Sequence, residues 1–134
     1  MQEEVVHKLI EAINQHHLDG ILNCLSNDHI LRDSRGDTVK GAETLHSAWG
    51  AYLHIFPDYH IDVEEKASNE NTILLTGWAS GSVKIDNKKV NWRIPAAWKV
   101  RVENGKVSEW QVFADNSVVQ TLLSEAHASE FERD

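Results

Sequence analysis

The stretch VVHKLIEAINQHHLDGILNCLSNDHILRD, residues 5–33, decides the fold. Val5, Val6, Leu9, Ile10 and Ile13 recur at helical spacing, which predicts an amphipathic helix over residues 3–17. Asp19-Gly20 restarts the chain into a short helix over residues 18–25. Ser26-Asn27 is a short polar break, and residues 29–33 read as a strand that ends on a carboxylate, Asp33.

Working outward, Ser34-Arg35-Gly36-Asp37 is turn chemistry, and Gly41 precedes a second long helix over residues 42–55. Its apolar positions Leu45, Ala48, Trp49, Tyr52, Leu53 and Phe56 follow the i, i+3, i+4, i+7, i+8, i+11 pattern of one buried face, and Pro57 stops it. Beyond Pro57 the period changes to two. Tyr59, Ile61 and Val63 alternate with His60, Asp62 and Glu64, the mark of a half-buried strand. Asn69-Glu70-Asn71 reads as a turn, residues 72–84 as a long strand, Asp86-Asn87 as a hairpin tip and residues 90–103 as another long strand. Asn104-Gly105 is the strongest hairpin signal in the chain; residues 106–115 make the last strand, and Val118, Val119, Leu122 and Leu123 a short closing helix. Helix, helix, strand, helix and four antiparallel strands predict an α+β domain with helices on one face of a curved antiparallel sheet. Pro95, inside a strand, predicts a bulge or an edge.

Composition bounds the function. A chain of 134 residues without linkers, charge blocks or repeats reads as one domain, residues 1–134, long enough to bury a core without staples. The net charge of −8 repels phosphate backbones, and no basic stripe is interleaved with aromatics, so no nucleic-acid partner is expected. No apolar run approaches membrane-spanning length. The single cysteine, Cys24, sits beside Leu22 and Leu25 with no base in a recognisable motif, and reads as a buried thiol. A free thiol and no signal peptide point to the cytoplasm. Five tryptophans are many for this length; both cores and ligand cavities use them.

The segments VVHKLIEAINQHHLDGILNCLSNDHILRD, KGAETLHSAWGAYLHIFPDYHIDV and GKVSEWQVFAD, in this order of elements, resemble the nuclear transport factor two-like superfamily. Within it the chain looks most similar to the SnoaL-like group of polyketide cyclases, through FPDYHIDV at residues 56–63 and a last strand holding Trp110 and ending at Asp115. The resemblance spans roughly residues 3–123. It implies a cone, a strongly curved antiparallel sheet wrapped by N-terminal helices, also known as cystatin-like. It is specific for fold and weak for activity, because such folds host enzymes, binders and dimerising subunits.

Three enzyme types of the superfamily can be tested against this chain. The ketosteroid isomerase base at the end of the first strand falls on Asp33, but the tyrosine and protonated aspartate of its oxyanion site fall near Leu9 and Ala96. Loss of such a donor commonly costs about 3–4 kcal/mol of transition-state stabilisation, which disfavours that chemistry. The limonene epoxide hydrolase residues fall on Val112 and near Gly77 and Ala79, which disfavours epoxide hydrolysis. The acid/base aspartate of the SnoaL-like cyclases is best matched by Asp115. A carboxylate among aromatic rings has its pKa raised toward the useful range by desolvation.

Each candidate has a plainer reading. Asp33 is either a pocket base or a cap for the turn that follows it. Asp115 is either the acid/base or the N-cap of a helix beginning near residues 116–118. Arg93 reads as an outward strand residue in preference to an inward cation for an acidic substrate. Trp92, Ile94, Ala96, Trp98, Val100 and Val102 share one strand face, and Trp49, Tyr52 and Phe56 one helix face. Trp49, Tyr52, Phe56, Trp92 and Trp98 from these faces, with Phe113 of the last strand, are the candidate ligand contacts. Trp78 and Trp110 are placed on the other face of the sheet, where the resemblance implies pairing of two subunits. Among the eight histidines, His16-His17 diverge on a helix and His46 and His54 lack a completing carboxylate or cysteine, so no metal and no cofactor are expected.

The sequence therefore predicts a pocket protein for a small apolar or aromatic molecule, working as a homodimer. The activity it allows is cyclisation or isomerisation of a carbonyl compound by proton transfer through Asp115, with Asp33 as second base. The alternative is a non-catalytic ligand-binding or dimerising module of the same fold.

Overall fold

The computed structural model describes residues 2–132. In chain order the elements are α1 (Gln2–Asn14), α2 (Leu18–Asn23), β1 (Leu25–Arg32), β2 (Thr38–Lys40), α3 (Ala42–Ile55), β3 (His60–Asn69), β4 (Thr72–Ile85), β5 (Lys88–Glu103), β6 (Lys106–Ala114) and α4 (Ser117–Glu132). The strands form one curved, unclosed sheet in the order β2-β1-β6-β5-β4-β3.

α1 buries Val6, Leu9 and Ile13 of the predicted stripe together with Ala12, leaves Val5 and Ile10 partly buried, and carries Glu3 and Glu4 in its first turn, where the helix dipole favours negative charge. Its C-terminal end grips the edge of the sheet. The Asn14 side chain accepts the Ile61 backbone N–H at 2.8 Å and donates to the Ile61 carbonyl at 3.0 Å. His16, held at φ 56°, places Nε2 2.8 Å from the Tyr59 carbonyl oxygen. These bonds occupy backbone groups that an edge strand otherwise leaves open, and they anchor Tyr59.

The long strands are joined by tight turns. Asp86 and Asn87 have φ of 52° and 65°, and Asn104 and Gly105 have 52° and 75°. Positive φ at both central residues matches the right-handed twist of the flanking strands. Inward residues of β5 alternate without interruption: Trp92, Ile94, Ala96, Trp98, Val100 and Val102 are all buried. Curvature comes in part from a register shift in β3 between Val63 and Glu65. There the β3 backbone presses on β4 so closely that a Cβ built on Gly77 lies 1.9 Å from the Asp62 carbonyl oxygen. The core runs from Leu9, Ile13 and Ile21 on the helices to Ile73, Val100 and Val107 on the sheet. Full burial of each such side chain contributes roughly 1.5–3 kcal/mol.

Four expectations are corrected. β1 begins at Leu25, so Ser26-Asn27 is strand and not a break, and its pairing with β6 is parallel, whereas every other ladder is antiparallel. The segment after the Ser34–Asp37 turn forms a further strand, β2, against β1. α4 is sixteen residues long and not a short closing helix. Of the two readings of Pro95, the edge holds and the bulge does not: it pairs in register with Trp78 and stands just outside the last β5–β6 pair, Ala96 with Ala114.

The two tryptophans placed together on the outer face separate. Trp110 is 1% exposed and packs against Trp98 with ring centroids 6.3 Å apart, on the helix-covered face. Trp78 does face outward, where its indole N–H donates to Glu64 and Arg93 lies over its ring at 4.0 Å. That contact makes Arg93 an outward residue, as its strand position implies.

Candidate functional site

Strand parity and one helix face converge on a cavity of about 260 Å³ between α3 and the inner face of the sheet. α3 supplies Trp49 and Tyr52 one turn apart, the segment before β3 supplies Tyr59, β5 supplies Trp92 and Ile94, and β6 supplies Trp110, Val112 and Ala114. Leu31 of β1 and Val39 of β2 close one side. The space exists because small residues, Ala48, Ala79 and Ala114, stand where larger ones would fill it. Asp33, Ser34 and Asn116 form a polar rim, where the Asn116 side-chain amide donates to the Ser34 hydroxyl at 2.6 Å.

The aromatic wall is a connected set. Tyr52 meets Trp49 at 6.5 Å, Phe56 at 5.1 Å and Tyr59 at 4.9 Å, the last at 89°. Tyr59 and Phe56 in turn contact Trp92 at 6.2 and 5.3 Å. Burial pushes the Tyr52 hydroxyl up to about 12, and burial with the Tyr52 neighbour pushes Tyr59 well above its ordinary value, so both keep their protons at neutral pH. The indole N–H groups of Trp49 and Trp92 are buried without an acceptor among the described residues. A buried donor left unsatisfied costs roughly 1–3 kcal/mol. Among the described residues, no Lys, Arg or His lines the cavity, and Asp33 is the one carboxylate that does.

Of the residues singled out in the sequence, Asp33, Trp49, Tyr52 and Trp92 stand on this wall. Phe56 is buried behind it, bracing Tyr52 and Trp92. Trp98 lies deeper on the same strand face, 1% exposed against Trp110, and belongs to the core. Phe113 points the other way and is 50% exposed, because Val112 and Ala114 on either side of it face the cavity. Asp115 does not reach the cavity wall. Its Oδ1 accepts the Ser117 backbone N–H at 3.0 Å at the start of α4. That bond holds its carboxyl below the ordinary value, the reverse of the raised pKa of an acid in an apolar pocket. Asp33 combines both of its readings. It caps the turn, its Oδ1 accepting the backbone N–H groups of Arg35 at 2.9 Å and Asp37 at 3.0 Å, and it lines the rim.

Tyr59, Trp110, Ser34 and Asn116 were missed as cavity residues. The signal for Tyr59 was its place in the buried register of Ile61 and Val63. For Trp110 it was its parity with Val112 and Ala114. A larger groove of about 510 Å³ lies between α1, α2 and the β5–β6 turn, but Lys8, Glu11, Gln15 and Lys106 line it, and it lacks an apolar enclosure.

The family model of the SnoaL-like domain matches residues 6–110. The chain belongs to this family. No curated protein matches the sequence. Solved structures similar to this SnoaL-like domain share the nuclear transport factor two-like cone. A candidate SnoaL-like polyketide cyclase from Shewanella denitrificans OS-217 superposes with a TM-score of 0.80 at 11% identity, covering 92% of this chain and 96% of its own. A hypothetical protein of ketosteroid isomerase-like fold from Catenulispora acidiphila DSM 44928, in complex with trimethylamine, gives 0.73 at 14%, covering 92% of each chain. TerC, co-crystallised with polyporic acid, gives 0.76 at 11%, covering 92% and 98%. At such identities the likeness is one of fold. No described helix is long and apolar enough to cross a membrane.

Proposed function

We propose that this SnoaL-like domain binds a small, neutral, apolar or aromatic molecule inside its cone. The observation that carries the reading is the cavity itself: about 260 Å³, walled by Trp49, Tyr52, Tyr59, Trp92 and Trp110, with polar groups confined to the rim and the tyrosine pair. Such a composition, mostly apolar with a few placed polar groups, is that of small-molecule sites. The co-crystals of TerC with polyporic acid and of the Catenulispora protein with trimethylamine support it by analogy of fold.

A second reading, catalysis, rests on Asp33. Its Oδ1 is engaged by the turn, while its Oδ2 has no partner among the described residues. As a base, Asp33 takes a proton from the carbon beside a carbonyl; the C–H electron pair becomes the enolate double bond and the oxygen takes the negative charge. Return of the proton to another carbon completes an isomerisation.

The protein also works as a homodimer through its outer sheet face in this reading. Leu74 and Phe113 are 51% and 50% exposed there. Beside them Glu109 sits among Arg32 at 3.3 Å, Lys99 at 3.7 Å and Arg101 at 3.7 Å. A face with both apolar members and both signs of charge matches a second copy of itself across a two-fold axis.

The test of the ligand reading is a saturation-transfer NMR screen of neutral one-, two- and three-ring compounds against the protein and against Ala79→Leu. The larger side chain fills the space that Ala79 leaves. Binders are expected with the native protein and lost with the variant at unchanged circular dichroism. Equal binding by both places the ligand elsewhere and ends the reading.

A further inference from the structure

We infer that His29 is an acid-sensitive latch on the parallel β1–β6 seam, which walls one side of the cavity, and that the seam opens more readily in mild acid. The inference goes beyond the ligand reading and does not depend on it. The seam is irregular where His29 sits. β1 and β6 pair at Leu25 with Val107 and again at Ile30 with Glu109, so Ser26 to His29 stand opposite Ser108 alone. At the near side of this gap the Val107 N–H donates to the Cys24 carbonyl at 2.8 Å. The Val107 carbonyl lies 2.7 Å from His29 Nδ1, so the ring ties the far side of the gap to the near one. Just beyond it Leu31 pairs with Trp110, and both line the cavity.

The ring is 1% exposed. A carbonyl oxygen only accepts, so Nδ1 carries the single proton of the neutral imidazole and Nε2 keeps its lone pair. Nε2 is buried and has no partner among the described residues. A second proton would therefore sit on a buried nitrogen with nothing to accept it. Burial holds the ring below its ordinary value of 6.5, although the bond to Val107 and the charges of Asp28 and Glu109 pull the other way.

The neighbouring elements offer that charge no acceptor. β2 brings Lys40 and β6 brings Glu109, both paired with Ile30, and Lys106 of β6 donates to the Asn23 carbonyl. Glu109 is engaged by Arg32, Lys99 and Arg101, and Asp28 by the Ser26 hydroxyl at 2.7 Å. The buried residues of α1 and α2 are apolar, and burial pushes the Cys24 thiol up, so it stays neutral.

The sign follows. When the seam parts, the ring meets water and takes its second proton below about pH 6.5. The closed seam takes none until its own lower value is reached. Its stability is whole above the ordinary 6.5 and is lost as the pH falls from there to the native value. Within that window the ratio of open to closed seam rises by up to about tenfold per pH unit.

Hydrogen exchange of backbone amides, followed by NMR and corrected for the intrinsic rate at each pH, reads this opening. Native protein and His29→Asn are compared between about pH 7.5 and about pH 5.5. Asparagine places an N–H near the position of Nδ1 and does not titrate. Protection of the Val107 amide should fall in the native protein by up to about tenfold per pH unit below pH 6.5, relative to the variant. It should also stay well below that of the β4–β5 ladder, because the seam opens before the rest. Parallel pH profiles in the two proteins overturn the inference. Equal protection at the seam and in the β4–β5 ladder at every pH also overturns it, since His29 then meets water only when the whole fold opens. If His29→Asn does not fold, the ring nitrogens of the native protein decide. A neutral ring with its proton on Nδ1 at about pH 6.5 sustains the latch, and a ring half-protonated there or above overturns it.

Discussion

The Ser117 backbone N–H donates to Asp115 Oδ1 at 3.0 Å, so the carboxylate that ends the last strand serves the helix that follows it. Asp115→Ala is therefore expected to lower the melting temperature and leave ligand affinity untouched. The pH dependence has a definite sign. The folded pKa lies below the ordinary 3.8, the backbone hydrogen bond from Ser117 being the main cause. Its contribution is then complete above about pH 3.8 and lost as the pH falls through the lowered native value. Melting curves of native and variant protein should differ at neutral pH and converge in acid.

Asp33 answers to a different test. Asp33→Asn keeps a side-chain oxygen to accept the Arg35 and Asp37 N–H groups, so the turn survives and the melting temperature should hardly move. What disappears is the base. If the protein catalyses proton transfer, indanone in heavy water should exchange its α-hydrogens faster with the native protein than with Asp33→Asn, as read by mass spectrometry. Equal exchange with both, at the rate seen in buffer, leaves binding without catalysis.

Two glycines should respond in opposite directions. The Cβ of Gly77→Ala lies 1.9 Å from the Asp62 carbonyl oxygen and 2.9 Å from its carbon, backbone atoms that cannot step aside cheaply. The variant should lose about 3 kcal/mol or more in chemical unfolding. Gly50, within α3, has its nearest outside neighbour at 3.7 Å, Leu18 Cδ2, an ordinary contact. Gly50→Ala should stabilise by about 0.5–1 kcal/mol, because alanine costs less backbone entropy in a helix.

For the dimer, light scattering at micromolar concentration should give twice the chain mass. Leu74→Asp with Phe113→Asp should halve it without loss of secondary structure, since both side chains stand clear of the core. A monomer mass for the native protein ends that proposal.

Much of the architecture was legible because each element carries its own period. Val6, Leu9 and Ile13 mark the buried face of α1, and Leu45, Trp49 and Leu53 that of α3. Positive-φ pairs at Asp86-Asn87 and Asn104-Gly105 mark the two long hairpins. The parallel partner of β1 was not legible: nothing in residues 25–32 encodes that β6, about eighty positions later, lies beside them. Nor was β2, three residues whose strand conformation depends on β1.

The candidate site divides along the same line. Strand parity alone placed Trp92 and Trp98 on one face of β5, and the structure agrees. Which of them meets open space depends on what lies across from each. Trp98 is covered by Trp110, while Trp92 stands near Ala79 and Ala114, whose short side chains leave room. Asp33 and Asp115 both end strands, and local pattern gave them equal standing. The orientation of α4 gave Asp115 a backbone partner, whereas the turn left Asp33 on the rim. Sequence determined the elements and their inward faces, because those follow from the periodicity of a single segment. Tertiary structure alone decided the cavity, because a cavity is the volume that α3, β1, β2, β4, β5 and β6 together leave unfilled.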